Sequence, residues 1–134
     1  VNNVSDAGLV KVPSLNSVKR SIDKLEAEVQ ERGMKVFARI DHAAGALQAG
    51  KTLRPTELLI FGSPQGGTPL MECVQAIGLD LPLKMLAWED EQGAVWLSYN
   101  DLGYLANRYG VWDCPQVEVL SAVLSRLAKV AAEQ

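Results

Sequence analysis

Histidine is almost missing from this sequence, with one in 134 residues, and cysteine occurs only twice. A zinc site of the usual spacing is excluded, because such sites need closely spaced sets of these residues. Cys73 and Cys114 are open to two readings. A pair of buried free thiols is favoured, since nothing local sets the distance between them, and a single disulfide is the alternative if the protein is exported. Long apolar runs are missing too. The longest, such as Leu-Leu-Ile-Phe at 58–61, fall far short of the ~20 residues of a membrane span. No basic stripe interleaved with aromatics is present, and 13 Lys and Arg against 16 Asp and Glu leave a net charge of −3. Nucleic acid is therefore not an expected partner. Linkers, repeats and low-complexity segments are also lacking, so residues 1–134 read as one domain with a disordered start over about 1–7. The chain opens on Val1, not Met, for which a cleaved export signal or a trimmed terminus would account, and an exported location is slightly favoured over the cytoplasm.

The content is that of an ordinary globular domain, 48% hydrophobic and 22% charged. "GLVKVPS" (8–14) alternates apolar and polar residues and predicts a first strand. Val18, Ile22, Leu25 and Val29 then form one helical stripe, capped by Asn16 or Ser17 and closed at Gly33. "MKVFARI" (34–40) predicts a strand with Val36, Ala38 and Ile40 on one face and Phe37 and Arg39 on the other. A short Ala-rich helix over about His42 to Ala49 ends at Gly50. "TELLIFG" (56–62) is apolar on both faces, the mark of a central or covered strand. "SPQGGTP" reads as a loop into a helix capped by Thr68, with Pro69 as its first residue. "LPLKMLAWED" and "AVWLSYND" flank an acidic turn and predict a hairpin. A short helix over 102–109 follows, then a long one opened by a capping box of Asp113 and Gln116, with Val117, Leu120, Leu124, Leu127 and Ala131 as its stripe. The expectation is an α+β fold. It has a mostly antiparallel sheet of about five strands with two long helices on one face, in the order β-α-β-(short α)-β-(short α)-β-β-(short α)-α.

The segments "GMKVFARIDHAAGALQAGKTLRPTELLIFGSPQGGTPLM" and "GLDLPLKMLAWEDEQGAVWLSYND" resemble the domain-of-unknown-function 302 family, a likeness extending over about residues 8–110. The resemblance implies a compact bacterial α+β domain, a homodimer, and no established activity. It departs from the family's pattern at "NDLGYLANRYG", where Leu102 and Tyr109 replace a proline and a histidine. His42 is left as the sole imidazole, which argues against any mechanism that needs two.

Asp41 is well placed to cap the helix beginning at His42, and capping accounts for Asp41 but not for His42. A neutral imidazole there suits a general base or a ligand contact. Arg39 and Arg54 are candidates for bidentate recognition of a carboxylate or phosphate, with Glu57 beside Arg54. Asn100 and Asp101 end a hairpin strand and join the set. "GSPQGGTP" lacks the Lys-Ser/Thr ending of a P-loop. No metal set and no nucleophile elbow is found, and no cofactor is indicated. These residues lead to a non-enzymatic domain that binds a small molecule or ion, with a small anion as candidate ligand, in a polar pocket near Asp41, His42, Arg54 and Glu57. A hydrolase or lyase using His42 as general base is the first alternative. A dimeric assembly module without ligand is the second, since the apolar run at 58–61 and the two hairpin tryptophans exceed what one helical layer covers.

Overall fold

Val18, Ile22, Leu25 and Val29 are all buried, and the helix that carries them, α1 (Val18–Glu31), lies on a six-stranded sheet. The computed structural model describes residues 3–5 and 7–134. Its strands are β1 (Asn3–Val4), β2 (Leu9–Ser14), β3 (Lys35–Asp41), β4 (Thr56–Gly62), β5 (Leu83–Glu89) and β6 (Val95–Asn100). Their spatial order is β1-β2-β6-β5-β4-β3, with every neighbouring pair antiparallel. The remaining helices are α2 (His42–Gln48), α3 (Pro64–Cys73), a 3-10 helix over Gln75–Asp80, α4 (Leu102–Tyr109) and α5 (Gln116–Ala132). The two long helices, α1 and α5, pack on each other and on the same face of the sheet. That arrangement agrees with the α+β expectation. Of the disordered start expected over 1–7, residues 1, 2 and 6 lie outside the described residues, and Asn3–Val4 pair with Val10 and Lys11 as an edge strand.

Alternation along each central strand sorts the residues. Leu59, Phe61, Met85, Ala87 and Leu97 point into the helical layer and are fully buried. Burying side chains of this size stabilises the fold by about 1.5–3 kcal/mol each, which makes this face the core. Neither long helix packs on the opposite face.

Four local expectations are corrected. Strict alternation puts Arg39 on the face opposite Val36. A β-bulge between Val36 and Ala38 inserts Phe37 as an extra residue, so Val36 pairs with Phe61 and Arg39 with Leu59, both on the helical side. The loop "SPQGGTP" is instead the first part of α3: Ser63 is the N-cap, its Oγ accepting from Gly66 N at 3.2 Å, and Pro64 takes the first helical position. Asp113 caps nothing. Helix α5 starts after Pro115, and Gln116 donates from Nε2 to the Gly66 carbonyl at 2.9 Å. Cys73 and Cys114 form a disulfide, with Cα atoms 6.2 Å apart. Packing of α3 on α5 brings together two residues separated by 41 positions, a proximity that no local pattern encodes.

Ser17, not Asn16, caps α1, accepting from Arg20 N at 3.1 Å. Asn16 instead serves the far end of α5, donating from Nδ2 to the Ala131 carbonyl at 3.0 Å. Both residues thus close a helix terminus, although only one was assignable from neighbours in sequence.

Candidate functional site

The seven residues singled out in the sequence do not converge. Arg39 is held in the helical layer by three carboxylates. Its Nε donates to Glu57 Oε1 at 2.9 Å, and its Nη1 to Asp23 Oδ1 at 2.8 Å and Glu26 Oε1 at 3.0 Å. Burial opposes the guanidinium charge, but the bonds to Glu57, Asp23 and Glu26 outweigh it and raise the Arg39 pKa. The Asp23 carboxyl is held below its ordinary value by hydrogen bonds from Lys19 and then Arg39. Arg39 and buried Glu57 are therefore engaged with each other.

Asp41 caps α2, with Oδ1 accepting from Ala44 N at 2.9 Å. His42 is exposed at the first position of a helix that buries none of its residues. Arg54 is exposed too, its Nε donating to the Glu89 carbonyl at 3.2 Å. Asp41, His42, Arg54 and Glu57 share one end of the sheet, where Asp41 lies opposite Glu57. Their side chains diverge: Glu57 enters the helical layer and Arg54 turns to Glu89. Asn100 and Asp101 sit toward the other end of β6, three strands over and about 10–13 Å further along the ladder than the row of Asp41 and Glu57. Asn100 pairs with Leu9, and Asp101 caps α4 through Tyr104 N at 2.9 Å.

Asn100 does take part in a different constellation. On the uncovered face, ladder register aligns Pro13, Trp96, Trp88 and Thr56 in one row and Lys11, Ser98, Leu86, Leu58 and Ile40 in the next. Leu9 and Asn100 stand one row further, flanked by Lys84 and Ile60. A groove of about 350 Å³ runs over this surface, with Lys11 and Lys84 on it, Leu58, Leu86 and Trp88 as apolar floor, and Ser98 and Asn100 as polar contacts. No carboxylate lines it. Lys11 Nζ lies 4.2 Å from the ring centroid of Trp96 and 5.1 Å from that of Trp88, within cation–π range. Trp88 donates from Nε1 to Ser98 Oγ, and Trp96 to Asp90 Oδ2, both at 2.9 Å, so both indoles are fixed. That bond from Trp96, then the amides of Ala94 and Gln92 and the charge of Lys11, hold the Asp90 carboxyl below its ordinary value against partial desolvation.

Period-two alternation in "LKMLAWE" already puts Lys84, Leu86 and Trp88 on one strand face. What no strand pattern discloses is which face the helices leave bare, or that Lys11 lies across from them. Among the described residues, no group of three or more His, Cys, Asp or Glu is placed to hold a metal ion, and no helix is long and apolar enough to cross a membrane.

Comparison with known proteins adds the following. Residues 10–133 match the family described as "Domain of unknown function DUF302". The chain is 51% identical over 109 residues to a protein of Brucella suis biovar 1 named "Fluoride-specific ion channel FluC 1", covering 81% of this chain and 43% of that protein. A protein of the same name from Brucella abortus biovar 1 is 51% identical and 40% covered. The chain thus spans about two fifths of these relatives' length. The crystal structure of an uncharacterised conserved DUF302 protein from Bacillus stearothermophilus superposes with a TM-score of 0.72, 16% identity, and coverage of 93% of this chain and 95% of that one. At that identity the likeness concerns the fold.

Proposed function

We propose that this chain, which belongs to the DUF302 family, is a non-catalytic binding domain that holds a small organic anion on the uncovered face of its sheet. The observation that carries this reading is the pairing of Lys11 and Lys84 on a groove with an apolar floor and no lining carboxylate, in a chain whose net charge is negative. Such a surface favours a ligand with one anionic group and an apolar body: the ammonium groups take the charge, Leu86 and Trp88 the body. The polar-end alternative has less support, because Glu57 is committed to Arg39 and Asp41 to its cap. Catalysis by His42 has less still, since His42 does not line the groove. The name of the Brucella relatives points to fluoride, but a groove of about 350 Å³ is far larger than a monatomic ion.

The experiment is an amide NMR titration with benzoate, phenyl phosphate and uncharged benzamide. Benzoate and phenyl phosphate are expected to shift the resonances of Lys11, Leu86, Ser98 and Asn100 and the Trp88 indole, and the Lys11→Gln/Lys84→Gln double variant to weaken both at least tenfold. Equal shifts with benzamide, or none with either anion, would remove the reading.

A second reading is favoured by exposed Leu9 and Ile40 beside the two tryptophans: a second copy covers this face in a homodimer. Five strands at ~4.8 Å spacing and ~20 Å length offer on the order of 500 Å² per protomer, below the ~800 Å² of a standard interface. Sedimentation would then show a dimer that dissociates in the micromolar range and is lost in Trp96→Asp.

A further inference from the structure

A second hollow lies away from the sheet groove, between α3, the 3-10 helix and the ends of β3, β4 and β5. Its volume is about 390 Å³, within the range of small-molecule pockets. Met34, Met71, Leu83 and Leu120 form its walls, and Ser63 and Thr68 bring hydroxyl groups to it. None of its lining residues is ionisable.

Three features shape this hollow. Phe37, the extra residue of the β-bulge, lines it while remaining 48% exposed, and redirecting one side chain is what a bulge does at an edge strand. Next, Gly67 leaves the wall formed by α3 bare. A Cβ there would already touch Leu81 Cδ1 at 3.7 Å and Met71 Cε at 3.9 Å, so a larger side chain would extend into the cavity that Gly67 lines. Lastly, α3 is fastened at both ends to the α5 segment, by the Gln116 bond to the Gly66 carbonyl and by the Cys73–Cys114 disulfide. A wall held in this way resists collapse into the space beside it, which keeps a cavity formed in the absence of ligand.

We infer that this cavity is a binding site for a small neutral aromatic molecule, distinct from the anion groove on the sheet face. Neutrality follows from the lining, which brings no ionisable side chain into the cavity; the Lys35 ammonium lies 5.3 Å from the Phe37 ring centroid but is not among the lining residues. The aromatic preference follows from two polarizable thioethers and a phenyl ring, which make favourable contacts with a flat π-system. The hydroxyls of Ser63 and Thr68 can serve one polar substituent. The volume limits the occupant to a small molecule, as opposed to a folded element of a partner.

The test uses the neutral fluorophore N-phenyl-1-naphthylamine with the intact disulfide-bonded chain. Saturable binding at one site, with a blue-shifted and enhanced emission, is expected for the wild type. Gly67→Leu should abolish it while the variant unfolds cooperatively at or above the wild-type temperature, because leucine also favours the helix. Phe37→Ala, at a half-exposed position that does not threaten the fold, should weaken binding at least fivefold. Trp88→Ala, on the sheet face, should leave it unchanged, and this arm separates the cavity from the groove. Absence of saturable binding to the wild type, unaltered binding by folded Gly67→Leu and Phe37→Ala, or loss in Trp88→Ala instead would each overturn the inference.

Discussion

Three carboxylates of its own chain, Glu57, Asp23 and Glu26, hold the Arg39 guanidinium in a fork of ion pairs. Breaking this cluster should matter because Glu57 is buried. Arg39→Met keeps much of the aliphatic stem and removes the charge, leaving Glu57 without its cation. A loss of about 2–3 kcal/mol is expected in chemical denaturation, below the range for fully buried pairs because the arginine retains some solvent contact. Lys19→Met, at a lysine side chain that is 78% exposed, should change stability by less than about 0.5 kcal/mol. The same cluster sets a pH dependence. The folded-state pKa of Asp23 lies below 3.8, so its contribution is fully present above the unfolded value and is lost as pH falls through the lower folded one. Acid titration of stability should therefore steepen below about pH 4 in the wild type and be flatter there in Arg39→Met. Equal acid slopes in the two proteins would separate Asp23 from Arg39.

At the scale of elements, much of the architecture was legible because the signals were periodic and local. The α1 stripe, the two-sided apolar run of β4, the hairpin of β5 and β6, and the short helix α4 over 102–109 all stand where periodicity, alternation and turn residues put them. The failures came where two local signals competed or a distant contact decided. Ser63-Pro64 and Thr68-Pro69 are equally good helix openings by composition. Packing of α3 along α5, with Gly66 admitting Leu120 closely, selects the earlier one. The Asp113 capping box lost to Pro115, which stands immediately before α5. Neither the bulge at Phe37 nor the identity of the bare sheet face is written in any one strand, and the candidate site moved for that reason. The corrected caps can be measured. Ser63→Ala should cost about 1 kcal/mol through the lost bond to Gly66 N. Thr68→Ala and Asp113→Ala should each be nearly neutral. If Asp113→Ala matched Ser63→Ala in a thermal melt, the start of α5 described above would be wrong.

For the whole molecule, the unequal treatment of the two sheet faces is the organising fact. One face receives α1 and α5 and becomes the core; the other carries the groove lined by Lys11, Lys84 and Trp88. The helical layer is then extended by α3, which meets α5 and the 3-10 helix and is secured by a covalent bond instead of a sheet ladder. The disulfide closes a loop of 41 residues. Chain-entropy reasoning assigns such a loop a stabilisation of about 3–4 kcal/mol, and for a chain of this size that corresponds to roughly 10–14 °C in Tm. Reduction, or the Cys73→Ser/Cys114→Ser double variant, should lower the melting temperature by about that amount. The loss should also be unevenly distributed. Strands β4 and β5 keep their ladders and their burial under α1 whether or not the bond is present, so their amides should exchange only as fast as the lowered global stability requires. Helix α3 has a single fully buried side chain, Leu70, and a proline in its interior. Its amides should therefore exchange much faster once the bond is open, through local release at a free energy below that of global unfolding. Hydrogen exchange followed with and without reductant distinguishes the two cases. Uniform acceleration across α3, β4 and β5 would show that the disulfide stabilises the fold as a whole, and would remove its role as the clasp that holds one wall of the apolar cavity.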